Sequence, residues 1–174
     1  MAPAGGFDAM QAALDNGADS IYFGVDQLNM RARATMNFTL SDLKEIADKC
    51  GALGVKSYLT LNSIIYNHDL ALIKTIINHV KEAGITAIIA SDQAVIGYAK
   101  TQGVDVHIST QLNVTNIETV KFYALFANVM VLSRELSLGQ VKEICNDILK
   151  EDVRGPNGEL VKIEVFGHGA LCMA

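Results

Sequence analysis

The sequence predicts an α/β protein of TIM type, a (β/α) barrel that is truncated and has about seven parallel strands. Three observations predict it. An amphipathic helix, a glycine-centred stop and a short β-branched or aromatic run recur in that order along the 174 residues. The connections between these pieces are short, which implies parallel strands joined by right-handed crossovers. One parity of several strands is polar, whereas strands buried under helices on both faces of an open sheet read as almost unbroken apolar runs.

The elements follow in order. Met1–Ala4 reads as the first strand. Asn16-Gly17-Ala18-Asp19 then stops a helix and leads into Ser20–Phe23. Thr39-Leu40-Ser41-Asp42 supplies N-cap chemistry for the next helix, which ends at Leu53-Gly54-Val55 before the run Lys56–Leu61. Leu70–Ala83 is an amphipathic helix, with Leu72, Ile73, Ile76, Ile77 and Val80 at helical spacing and Lys74, Asn78, Lys81 and Glu82 opposite. Ala83-Gly84-Ile85 precedes Thr86–Ala90, and Gln102-Gly103-Val104 precedes Asp105–Ser109. Glycine just past a helix can take the left-handed conformation that turns the chain into a strand. Asn128–Leu132 and Lys162–Phe166 complete the strands without that hinge, and Ser137 caps the helix through Leu149. Glu151–Val161, with Arg154-Gly155-Pro156-Asn157-Gly158, is the clear loop insertion, readable as a hairpin tip or as a mobile loop. Along the strands Tyr58, Thr60 and Asn62 alternate with Leu59 and Leu61. His107, Ser109 and Gln111 alternate with Val106 and Ile108, and Glu164 and His168 with Val165. A polar parity of this kind fits a barrel interior rising to a site.

Half of the residues are apolar, enough for one sizeable core, so residues 1–174 read as a single domain. The net charge of −5 comes from acidic and basic residues mixed along the chain and gives no whole-domain basic footprint. No run approaches the roughly 18 apolar residues of a membrane span, and no signal peptide pattern opens the chain; a cytoplasmic location is expected. Cys50, Cys145 and Cys172 have no metal-ligand spacing. The first two fall inside helical patterns and read as small apolar core groups.

In a barrel the site lies at the C-terminal strand ends, and these are polar here. Asn29-Met30-Arg31-Ala32-Arg33 follows the second strand, Asn62 the third, Asp92-Gln93 the fourth, Ser109–Asn113 the fifth, Ser133-Arg134-Glu135 the sixth, and Gly167–Cys172 the seventh. Arg31, Arg33 and Arg134 would supply guanidinium forks for a carboxylate or phosphate. The competing reading makes Arg134–Glu135 a surface ion pair and leaves Arg31 and Arg33 on a solvated loop. Glu164 and His168 share a parity and are candidates for acid and base; alternatively Glu164 is neutralised by an arginine. His68 and His79 lie on or beside a helix face and carry no functional signal. There is no GxSxG elbow, P-loop, GxGxxG or HExxH.

Seven segments carry a resemblance, in order and over essentially the whole chain. They are Ala2–Gly6, Ala12–Asp19, Tyr22–Gly24, Asn29–Arg33, Thr60–Asn62, Ser109–Asn113 and Leu132–Leu136, and Glu164–Cys172 closes the match. Together they resemble the N-terminal region of peptidase family U32 and the opening of its signature. The resemblance implies collagenase-like proteins assigned as peptidases of unknown catalytic type. It also implies oxygen-independent hydroxylases that modify tRNA or rRNA with prephenate as oxygen source, or that act as a pair in anaerobic ubiquinone synthesis. Several of these carry a four-iron cluster on four cysteines, and Cys172 matches the first cluster cysteine. The expectation is therefore the N-terminal barrel domain of a longer protein, cut inside the signature, with the cluster present in the full-length protein and absent from this piece. An RNA hydroxylation enzyme is expected, in which Arg31, Arg33 and Arg134 bind a small anionic cosubstrate and Asn62, Gln111 and Asn113 orient it. A collagenase-like peptidase acting on a peptide is the alternative, and a non-catalytic barrel subunit the third reading. Expected partners are the cosubstrate, tRNA or rRNA contacted through the missing region, and a homo- or hetero-oligomeric companion.

Overall fold

The structure, a computed structural model, describes residues 1–26 and 38–167. Its elements are β1 (Ala2–Pro3), α1 (Phe7–Asp15), β2 (Ser20–Phe23), α2 (Leu43–Ala52), β3 (Lys56–Leu61), α3 (Leu70–Ala83), β4 (Ala87–Ala90), α4 (Gln93–Gln102), β5 (Val106–Ile108), α5 (Ile117–Ala124), β6 (Val129–Val131), α6 (Leu138–Lys150) and β7 (Lys162–Glu164). The seven strands are hydrogen-bonded in chain order, β1 to β7. A doubly wound sheet would reverse its order midway. The topology is instead that of a (β/α) barrel, as the alternating pattern predicts.

The glycine hinges behave as the sequence requires: Gly17, Gly54, Gly84 and Gly103 have φ between +68° and +81°. At the end of α3 this conformation lets the Ile85 amide donate back to the Val80 carbonyl at 3.1 Å, beside the Gly84 amide at 3.2 Å, which closes the last turn. Ser137 caps α6 reciprocally: its hydroxyl accepts from the Gln140 amide at 3.3 Å, and the Gln140 side chain accepts from the Ser137 amide at 2.9 Å. Thr39 makes the same kind of box with Asp42, but around a single 3-10 turn, Leu40–Asp42, so α2 itself starts at Leu43.

Two compact units divide the chain, Met1–His107 and Ile108–Ala174. In the first, β2, β3 and β4 lie in parallel register, with Tyr22, Tyr58 and Ala87 aligned on one face and Phe23, Leu59 and Ile88 on the other. The second set is fully buried, and so is the α3 stripe of Ile73, Ile76, Ile77 and Val80. The first set is also packed: Tyr58, Ala87 and Ile89 form a buried cluster with Tyr22 against it, and the His107 ring tilts onto Tyr58 at 4.6 Å. The polar parity is thus a filled layer, as in barrel interiors. In the second unit Val120, Tyr123 and Ala124 of α5 and Ile144 and Ile148 of α6 are buried, as are Met130 and Leu132 in and after β6.

The loop insertion is a hairpin. Arg154 and Leu160 form an antiparallel bridge, and the Val161 amide donates to Val153 at 3.0 Å. Arg154 pairs with Asp152 at 2.8 Å, and the Asn157 amide donates to the Asn128 side chain at 3.1 Å, tying the tip to the start of β6. Among the described residues no helix is long and apolar enough to cross a membrane.

Candidate functional site

In the second unit, hydrogen bonds gather the predicted residues at the strand C-terminal ends. After β5 the chain makes a 3-10 turn, Thr110–Leu112, which Asn113 closes in the left-handed conformation at φ 51°. Asparagine tolerates that conformation better than most side chains, so Asn113 has a backbone reason to be there. The turn is fastened to the end of β6: Thr110 Oγ1 donates to the Leu132 carbonyl at 3.2 Å, and the Ser133 amide donates to Val114 at 3.0 Å. From the other side the Leu132 amide donates to the Glu164 carbonyl at 3.0 Å. The segment carrying Gln111 and Asn113, the residue before Arg134, and the last residue of β7 are therefore joined by main-chain bonds.

Side chains complete this end. Arg134 is exposed, with its guanidinium carbon 5.0 Å from the centre of the Phe166 ring. Glu135 is held by the hydroxyl of buried Ser133, and that hydrogen bond holds its carboxyl below the usual range, with a smaller pull from the Arg134 charge. Glu164 is half-buried, and Gln111 and Asn113 are exposed. A guanidinium laid against an aromatic face can offer its N–H groups to a carboxylate or phosphate in two-point fashion. A half-buried carboxylate such as Glu164 can orient a donor or move a proton.

In the first unit, Asn62 is half-buried directly after β3. The loop it opens runs to a 3-10 turn, Asn67–Asp69, where Tyr66 and His68 stack with ring centres 5.7 Å apart and planes 3° apart. Arg31, Arg33, His168 and Cys172 lie outside the described residues.

Phe166 escaped the sequence reading. Val165-Phe166 continues the extended run of β7, so nothing local signals that pairing stops at Glu164 and leaves Phe166 beside Arg134. The Ser133–Glu135 contact is a two-residue pattern common to many turns and has no distinctive signal either. Cys50 is buried within α2, where burial pushes its thiol pKa up, and Cys145 is half-buried within α6. Among the described residues no group of three or more His, Cys, Asp or Glu could hold a metal.

Residues 5–174 match peptidase family U32. The whole chain aligns at 52% identity with a collagenase of Porphyromonas gingivalis, spanning 42% of that protein. It also aligns over its whole length, at 36% identity, with tRNA hydroxylation protein P of Helicobacter pylori, spanning 40% of it. Thus the chain covers about two fifths of the curated relatives' length. Among solved structures, a U32 peptidase superposes at a TM-score of 0.68 over 83% of this chain and 63% of that one, with 13% identity, which supports the barrel fold.

Proposed function

Because this chain belongs to peptidase family U32, we propose that it is the N-terminal barrel part of an oxygen-independent RNA hydroxylation enzyme, acting on tRNA or rRNA with a small anionic cosubstrate such as prephenate. One observation carries the reading: an exposed Arg134 over the Phe166 ring, just past the C-terminal ends of β6 and β7. Arg134 binds a carboxylate of the cosubstrate, and Gln111 and Asn113 orient it through amide hydrogen bonds. Glu164, with His168, holds or moves a proton. The relatives named tRNA hydroxylation protein align with the whole of this chain, which supports the same reading.

A four-iron cluster would supply electron transfer when bound. The described residues do not fit one: Cys50 is buried in α2, Cys145 lies in α6, and neither belongs to a group of ligands. Cys172 is the single residue of this chain proposed as a cluster thiolate, on its match to the family cysteine, and no step is routed through the group.

The 52% identity to a collagenase favours a second reading, a peptidase. The full-length protein, produced without oxygen in a bacterial host that lacks tRNA and rRNA hydroxylation of this kind, separates the two. Nucleoside mass spectrometry should show a hydroxylated nucleoside that disappears with Arg134→Ala while the protein stays folded. Cleavage of collagen peptides without any new nucleoside would overturn the hydroxylase reading.

A further inference from the structure

Ile64, Tyr66 and His68 belong to none of the roles assigned above. They alternate along the loop that leaves β3 at Asn62, with half-buried Ile65 between the first two. Ile64 is 74% and Tyr66 59% exposed, and the His68 side chain is 80% exposed. Single exposed apolar residues are ordinary, but here two flat rings and an aliphatic side chain sit together in one short loop.

The loop is held in place. Asp69, whose side chain is only 15% exposed, accepts from the Tyr66 amide at 2.9 Å and lies 3.5 Å from His68 Nε2. One carboxylate thereby holds the Tyr66 main chain and stands next to His68. The rings are already parallel, within 3°, so a planar ligand would meet an ordered stack instead of having to order the loop.

We propose that Tyr66 and His68, flanked by Ile64, form a stacking platform for one unpaired nucleobase of the RNA. The inference rests on the RNA reading above and specifies the form of RNA recognised. Parallel rings match a flat π-face, which every base offers once it is out of a helix. An extended peptide is a poorer fit, because both edges of β3 are occupied by β2 and β4 and cannot accept an added strand. The loop starts at a strand C-terminal end, where barrel enzymes take their substrates. Between Asn62 and Leu70 the only ionisable groups besides the Tyr66 phenol are His68 and Asp69, so the contribution comes from stacking and not from phosphate neutralisation.

The test measures binding of a fluorescent single-stranded RNA of about 12 nucleotides, and of its duplex, to the full-length protein. Tyr66→Ala should weaken single-strand binding about tenfold, Tyr66→Leu should do the same without loss of bulk, and Tyr66→Phe should bind as the parent does. The parent-to-variant ratio should hold between about 50 and 200 mM salt, since stacking releases no counterions. Duplex binding and melting temperature should not change. Unaltered single-strand binding by Tyr66→Ala, or equal losses for duplex and single strand, overturns the platform. If that happens while Arg134→Ala still abolishes hydroxylation, the functional reading survives and the platform alone falls. A parent protein that binds no RNA overturns both, as does a Tyr66→Ala defect confined to peptide cleavage.

Discussion

Arg134 and Phe166 show how one contact turns a surface arginine into an aimed one. A long, free guanidinium loses side-chain entropy when it binds, and the ring 5.0 Å away has already restricted it. Phe166→Leu should therefore weaken anionic-ligand binding about two- to fivefold, while Phe166→Tyr keeps it; calorimetry with the cosubstrate checks this. Glu135 gives a pH signature. Its carboxyl is held below the usual range in the fold, chiefly by Ser133, so the stabilisation is present above the unfolded pKa and is lost as pH falls through the folded one. Glu135→Gln should lower stability slightly at neutral pH and converge with the parent in acid, giving a flatter acid side, measured by melting at a series of pH values.

At the scale of elements, the hairpin between α6 and β7 is the piece whose nature the sequence left open. Its Pro and Gly residues announce turns, and turns are compatible with either an ordered tip or a mobile loop. The structure decides through Asn128, whose side chain accepts the Asn157 amide. Gly155 lies so close to β6 that an added Cβ would stand 2.9 Å from the Asn128 Cα and 3.1 Å from the Ala127 carbonyl. Backbone cannot step aside as a side chain can. Gly155→Ala should displace the hairpin and lower stability by about 1–3 kcal/mol, visible as a reduced melting temperature and as faster amide exchange in residues 153–161. The helix ends, by contrast, were legible: Ser137 with Gln140 and the glycine after α3 are local chemistry, and they formed as local chemistry dictates.

For the whole molecule, strand order and the division of the strand faces matter most. Ile88 is fully buried on one face of β4, next to Leu59 in register, whereas Ile64 stands in solvent two residues after Asn62. Ile88→Ala should cost about 2–5 kcal/mol, and Ile64→Ala less than about 0.5 kcal/mol. Chemical denaturation of the two variants provides the comparison. The opposite outcome would mean that the apolar parity of β4 does not carry the core.

What the sequence determined by itself is whatever depends on neighbours a few residues apart. The seven strands with their intervening helices, the glycine hinges, the Ser137 cap and the split between Leu59 and Tyr58 along one strand all follow from period and local conformation, and the order of the strands follows from short crossovers. The polar residues at the strand ends could also be named, because a barrel builds its sites there. Tertiary structure alone decided which of them meet. Phe166 reaches Arg134 only because β7 pairs with β6 and stops at Glu164, and the turn carrying Gln111 is tied to Leu132 by bonds between residues 22 positions apart. The sequence around His68 carries no functional signal, and its ring lies parallel to that of Tyr66 only in the folded loop. Contacts of this kind depend on register and ring orientation, which no short-range pattern encodes, because the energy that selects them is summed over packing across the whole fold.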